Sequence, residues 1–216
     1  MEILRLAEVG LEAAALRAAA ELSVGGIVLY PTDTLYGLGA DAFSDEAVHG
    51  VYEIKGRDLG KPMPAIVADV AMAERYGEVD VRVRALVESL PSGQITFVVP
   101  KKEHVTGGIA RLTSSFGFRI PDDTFCRSMV RILGRPVTST SANKSGQVPV
   151  HDVLDIVAQL GGESSGISIV VDAGILPAQY PSTVVDFTGD TVRIIREGMV
   201  PKEAIFRALS PQVLRV

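Results

Sequence analysis

Residues 25–39 read GGIVLYPTDTLYGLG. The apolar run IVLY after two glycines predicts a buried strand, and PTDTLYG then delivers a Pro, two Thr hydroxyls, an Asp, a Tyr and a Gly to its C-terminal end. Core packing has no use for that mixture. In α/β sheets the loops at strand ends gather free backbone donors, and ligands bind there. Working outward, Leu11, Ala15, Ala18 and Leu22 recur at helical spacing with charges between them, so 11–22 predicts an amphipathic helix that Gly25-Gly26 stops. Downstream, Ser44 is placed to cap a helix with Asp45 and Glu46 in its first turn. The apolar face of that helix is Ala47, Val48, Val51 and Ile54, and it ends at KGRDLGKP (55–62).

Further strands are expected at 65–68, 94–100, 116–121 and 167–172, with helices near 70–76, 80–90 and 152–160. Asp122-Asp123 opens a helix with Phe125, Met129 and Leu133 on one face. PVTSTSANKSG (136–146) passes from a short strand into a polar loop, and STVVDF-TGD-TVRIIREG (182–198) predicts an antiparallel hairpin. Pro201 starts a terminal helix, where its missing N–H costs nothing. Alternating strands and helices plus one hairpin give an α/β protein with a mixed parallel and antiparallel sheet. With no repeat or low-complexity linker, one domain over 1–216 is expected.

The 216 residues are 47% hydrophobic and 22% charged, enough to bury a real core. A single cysteine allows no internal disulfide and points to a reducing cytoplasm. The charged N-terminal stretch lacks the apolar centre of a signal peptide, and no run reaches bilayer length, so no membrane is expected. A net charge of −5 does not attract nucleic acid to the protein as a whole. Any polyanion must be met by a local basic cluster.

Four polar stretches, PTDTLYG, KGRDLGKP, FGFRIPDD and TSTSANKSG, each follow a strand or helix end. Any one reads most simply as a turn or a cap. Together they collect Thr32, Thr34, Tyr36, Lys55, Arg57, Lys61, Arg119, Ser139, Ser141 and Asn143, a donor-rich, cationic set suited to an anionic ligand such as a nucleotide. Asp33 is open between holding a metal, orienting Thr34 and serving as a turn residue. GRDLGKP is one residue short of a P-loop and has Pro in place of the metal-binding hydroxyl. Ser141-Ala142-Asn143-Lys144 fits S-x-x-K, but no K-T-G follows it. His49, His104 and His151 have no ligand spacing, and Cys126 reads as a packed thiol, so no metal site is assigned.

The ordered motifs PTDTLYGLGADA, KGRDLGKP, FGFRIPDD, TSANKSG, PSTVVD and RIIREG, from about Gly26 to Gly198, resemble the YrdC-type threonylcarbamoyl-AMP synthases of the YrdC/YciO superfamily, in their single-domain form. The resemblance implies a YrdC-like twisted mixed sheet flanked by helices, with a large concave cavity. It implies a reaction of L-threonine, bicarbonate or CO2 and ATP that gives threonylcarbamoyl-AMP and pyrophosphate for N6-threonylcarbamoyladenosine in tRNA. Mg²⁺ would accompany the triphosphate. It assigns Lys55 and Arg57 to catalysis and Thr34, Arg119, Ser139 and Ser182 to threonine. Arg57, Lys61, Ser115, Ser141, Asn143, Pro149 and Arg196 fall on the nucleotide side, with Thr32 and Tyr36 lining the cavity. No protein nucleophile is needed, because the threonine amine and then the carbamate oxygen attack. Two departures stand out: Ser92-Gly93-Gln94-Ile95-Thr96 replaces a PGPxT pattern, and Ile66 stands where longer members often place a His. A YciO-like sister-branch protein and a double-stranded RNA or tRNA-binding module on the concave face are the other readings. tRNA or the downstream transfer machinery is a partner under the first reading as well.

Overall fold

The computed structural model describes residues 1–177 and 179–210, so the C-terminal end of the domain expected over 1–216 lies outside the described residues. The chain runs β1 (Glu2–Arg5), α1 (Leu6–Val9), α2 (Leu11–Ser23), β2 (Val28–Tyr30), β3 (Gly37–Gly39), α3 (Asp45–Lys55), β4 (Ala65–Ile66), α4 (Val70–Glu74) and α5 (Val81–Ser89). It continues through β5 (Ile95–Pro100), β6 (Ser115–Arg119), α6 (Thr124–Leu133), β7 (Val137–Thr138), β8 (Thr140–Ser141), α7 (Val153–Leu160), β9 (Ile169–Asp172), β10 (Thr183–Asp186), β11 (Arg193–Arg196) and α8 (Lys202–Ala208).

The strands form two mixed sheets where the sequence predicts one. The first has the order β1-β9-β2-β3-β8 and the second β11-β10-β5-β6-β4-β7. In the first, β1, β9 and β2 are parallel neighbours, while β2–β3 and β3–β8 are antiparallel. In the second, β10–β5 and β4–β6 are parallel and the remaining neighbours antiparallel. β1 escapes sequence reading because only Leu4 of its four residues is buried, so it carries no alternating pattern.

PTDTLY is therefore the connection of a hairpin, since β2 and β3 pair Val28↔Gly39, Leu29↔Leu38 and Tyr30↔Gly37. The two glycines of YGLG have a steric reason. The Tyr30 ring lies across β3, and a Cβ on Gly39 would come 2.7 Å from that ring. The Tyr30 hydroxyl, fully buried, donates to the Thr138 carbonyl oxygen at 2.9 Å. The predicted helices form and cap as read: the Ser44 hydroxyl accepts from the Ala47 N–H, and the Asp123 carboxylate accepts from the Cys126 N–H. Pro201 stands one residue before α8, as its N-cap.

The second sheet positions the site through the two-residue period of its strands. Ile95, Phe97 and Val99 on β5, Phe116 and Phe118 on β6 and Val185 on β10 are buried in the core. Phe97 stacks on Phe118 with ring centroids 5.2 Å apart. The alternate residues, Thr96 and Val98, Ser115, Gly117 and Arg119, and Val184 and Asp186, line a cavity. α2 packs against α6 behind the first sheet, burying Ala14, Ala15, Ala18, Ala19 and Leu22.

Candidate active site

The cavity measures ≈ 990 Å³ and takes its walls from the β2–β3 loop, the segment Pro62–Pro64, the 113–119 stretch, β8, the loop at 148–151 and the β10–β11 hairpin. Its charged lining is Arg57, Arg119, Arg193 and Arg196 against one carboxylate, Asp186. That carboxylate is already engaged by Arg193 and by the hydroxyl and N–H of Thr188. The free field is therefore positive and suits a polyanionic ligand, although the whole chain is acidic.

Eleven of the residues proposed from sequence line this space: Thr32, Thr34, Tyr36, Arg57, Ser115, Arg119, Ser139, Ser141, Pro149, Ser182 and Arg196. Lys55, Lys61 and Asn143 do not. Lys61 lies on the exposed turn after α3. Lys55 is only 3% exposed. Its ammonium donates to the main-chain oxygens of Ser141 and Asn143, with Asn143 Oδ1 at 3.5 Å. Burial, with the nearby Arg57 charge, brings its pKa down to about 8. Asn143 spends its amide on the carbonyls of Lys144 and Gln147, and its Oδ1 accepts from the Ser141 hydroxyl. Lys55 and Asn143 thus shape the loop that presents Ser141. In this arrangement Lys55 braces the loop and does not line the cavity.

Thr32 is the organiser of its turn. Its hydroxyl donates to the Leu35 carbonyl at 2.7 Å and accepts the N–H groups of Thr34 and Leu35. With that proton spent and both Thr32 lone pairs taken by the two N–H groups, the Thr34 hydroxyl, 3.1 Å away, keeps its proton and lone pairs for a ligand. Arg119, 5% exposed at the end of β6, donates from Nη1 to the Gly93 carbonyl at 3.0 Å, and Asp33 Oδ1 lies 2.9 Å from the same nitrogen as a charge contact without hydrogen-bond geometry. Asp33 therefore faces Arg119, which removes it as a partner of Thr34; its Oδ2 also accepts the Asp122 N–H at 3.2 Å.

Ser182 shares a hydroxyl–hydroxyl contact of 2.8 Å with Thr96, and Arg196 Nη2 donates to the Ser182 carbonyl at 2.9 Å. Burial lowers the pKa of Arg196, which remains a cation because its ordinary value is so high. Arg57 folds back on its loop, donating to the Pro62 carbonyl at 3.0 Å. Sequence reading passed over Thr96, Asp186, Thr188 and Arg193. Thr96 could have been found from the alternation along QITFVV, where a Thr stands among apolar neighbours on the opposite phase. Among the described residues no three His, Cys, Asp or Glu side chains gather in a metal-ligating group.

A buried-floored cavity with guanidinium and hydroxyl donors on its walls defines a nucleotide-sized, anion-holding site on a mixed α/β scaffold. The pattern of the Sua5/YciO/YrdC family, described as telomere recombination, matches residues 20–198, and the chain belongs to this family. The chain is 32% identical over 187 residues to a putative threonylcarbamoyl-AMP synthase of Methanocaldococcus jannaschii, covering 87% of this chain and 86% of that one. It is 39% identical over 184 residues to the threonylcarbamoyl-AMP synthase of Mus musculus, covering 81% of this chain and 63% of the relative's length. The crystal structure of P. abyssi Sua5 complexed with L-threonine superposes with a TM-score of 0.83 at 28% identity, over 96% of this chain and 60% of that one.

Proposed function

We propose that the protein is a threonylcarbamoyl-AMP synthase, a nucleotidyltransferase that joins L-threonine, bicarbonate or CO2 and ATP and releases pyrophosphate, supplying tRNA N6-threonylcarbamoyladenosine synthesis in the cytoplasm as one catalytic domain. The observation that carries it is Arg119. Its guanidinium lies on the floor of the cavity beside the Thr34 loop, with Nη1 occupied by protein and the Nε/Nη2 edge making no protein hydrogen bond among the described residues. That edge presents two parallel N–H groups, the fork that matches a carboxylate. The names of relatives at 32% and 39% identity and the threonine-bound P. abyssi structure support the same ligand.

In this reading Arg119 takes the threonine carboxylate, and Thr34, Ser139 and Ser182 hold the amino and hydroxyl groups. Arg57, Ser115, Ser141, Pro149 and Arg196 meet the nucleotide. The neutral amine of threonine attacks the carbon of CO2, and the proton displaced from nitrogen passes to solvent, leaving a carbamate. An oxygen of the resulting carbamate then attacks the α-phosphorus, and the bond to pyrophosphate breaks. The chain's part is to align these groups and to offset charge on the phosphates with fixed cations. Mg²⁺ arrives as part of the nucleotide substrate, neutralising phosphate oxygens. Asp186, the one carboxylate lining the cavity among the described residues, is committed to Arg193 and Thr188, so the chain offers that ion little of its own.

Duplex RNA fits less well, because Arg119 at 5% exposure is out of reach of a helical phosphate backbone. The test is pyrophosphate release from MgATP and bicarbonate with L-threonine, L-serine or no amino acid. Threonine-dependent release, reduced in Arg57→Ala and Ser141→Ala, is expected. Absence of release from folded protein overturns the reading and turns attention to tRNA affinity and its salt dependence.

A further inference from the structure

Arg119 is fixed by a device that the sequence motifs do not reveal, joining the β2–β3 loop to the turn before β5. The Gly93 carbonyl accepts from Nη1 at 3.0 Å, and the Gly93 N–H donates to the Ile120 carbonyl at 2.8 Å, so this turn is tied on both sides to the end of β6. Asp33 closes the arrangement from the β2–β3 loop, its Oδ1 2.9 Å from the same Nη1 as a charge contact. Gly93 has φ +78°, and a Cβ there would lie 1.8 Å from Asp33 Oδ2 and 2.9 Å from the Asp122 nitrogen. A side chain at 93 would have to expel the carboxylate as well as strain the backbone.

We propose that Asp33 is a positioning residue for the amino-acid subsite: with the Gly93 carbonyl it immobilises the Nη1 corner of Arg119, so that the Nε/Nη2 edge is presented to the substrate carboxylate. A carboxylate beside a guanidinium would ordinarily compete with an anionic ligand. Here the two use different corners of one planar cation, so Asp33 orients the fork without blocking it. The ion pair is largely desolvated, with Arg119 and Asp33 side chains 6% and 14% exposed, so loss of either partner leaves the other poorly compensated. This inference rests on the reading that Arg119 binds the threonine carboxylate.

The experiment measures kcat and KM for threonine and for ATP in threonine-dependent pyrophosphate release, with calorimetric threonine binding alongside. The variants are Asp33→Asn, Asp33→Ala, Gly93→Ala, the Asp33→Ala/Gly93→Ala double variant and Arg119→Ala. Asp33→Asn keeps the shape and removes the charge, so threonine KM should rise ~10-fold, about 1.4 kcal/mol, with ATP KM within about twofold. Gly93→Ala should raise threonine KM similarly in the wild-type background and add a smaller factor once Asp33 is Ala, because the carboxylate it strikes is gone while the backbone strain and the approach to the Asp122 nitrogen remain. Equal shifts in both KM values, or a Gly93→Ala effect as large in the Asp33→Ala background, would mark a purely structural contact and overturn the proposal. Unchanged threonine KM in Asp33→Asn, with Arg119→Ala impaired, sinks the proposal alone. Unchanged threonine KM in Arg119→Ala sinks the carboxylate reading beneath it. If Asp33→Asn does not fold, the Gly93→Ala comparison of threonine and ATP KM still decides.

Discussion

The Nζ of Lys55 donates to the main-chain oxygen of Asn143 at 2.8 Å and to that of Ser141, fastening the C-terminal end of α3 to the loop after β8. One buried ammonium thus pairs the Asn143 oxygen, adds to the Asn143 N–H already given to the Ser141 oxygen, and fixes where Ser141 points. Lys55→Met should leave the Asn143 oxygen unpaired and cost ~2–3 kcal/mol in urea unfolding, the range for losing a hydrogen-bonded charge. It should also raise the KM for ATP more than that for threonine, because the disturbed loop carries nucleotide-side residues. Steady-state kinetics with each substrate varied separately checks this.

Lys55 also gives stability a pH dependence of definite sign. Its pKa is about 8 in the folded protein against an ordinary 10.5. Between those values the unfolded chain binds the extra proton, so stability should rise from pH 8 towards 10.5 and show no slope from this group below 8. The full displacement corresponds to about 3 kcal/mol. Tyr36, with its pKa raised to about 12 chiefly by burial, acts oppositely above pH 10, where unfolded tyrosine ionises first and stability falls. Denaturant unfolding of wild type and Lys55→Met across pH 7–11 isolates the lysine: the rise between 8 and 10 should vanish in the variant.

Tyr36 anchors the segment that leads from the first sheet to the second. Its hydroxyl donates to the Gly174 carbonyl at 2.7 Å and accepts the Ala173 N–H at 2.9 Å. That segment continues to Pro181 and Ser182 on the cavity wall. Tyr36→Phe should destabilise the protein by ~1–2 kcal/mol and speed hydrogen exchange at the Ala173 amide. Unchanged exchange at that amide counts against the anchoring role.

Much of the architecture was legible because its elements follow simple periods. The helix over 11–22, the Ser44 and Asp123 caps and the 182–198 hairpin all stand as read. The division into two sheets was not legible, because strands of two or three residues such as β3, β4, β7 and β8 carry no period. Family motifs named the cavity residues but not their jobs. Lys55 and Thr34 look alike in a motif; only the structure shows that Lys55 spends its ammonium on main-chain oxygens while Thr34 lines the cavity. Asp33 meeting Arg119 is a contact across 86 residues of sequence, and no local pattern encodes it.

Gly198 tests whether the two halves of the site are mechanically joined. Its N–H donates to the Thr183 hydroxyl at 2.9 Å, and that hydroxyl donates in turn to the Val200 carbonyl at 2.6 Å. A Cβ on Gly198 would come 2.1 Å from the Pro181 carbonyl oxygen and 2.7 Å from that of Ser182, both backbone atoms that cannot swing aside. The Ser182 carbonyl is also the acceptor for Arg196 Nη2. Gly198→Ala must therefore shift the start of β10 against the end of β11. Ser182, proposed on the threonine side, and Arg196, proposed on the nucleotide side, should move together. Threonine and ATP KM should both rise, by ~10-fold or more if the displacement approaches 1 Å. This contrasts with Asp33→Asn, expected to affect threonine alone. Thr183→Val, which removes the hydroxyl tie without adding bulk near Pro181, should lower stability by ~1–2 kcal/mol with smaller effects on either KM. If Gly198→Ala raises only one KM, the hairpin is not a shared support, and the two subsites respond to separate parts of the fold.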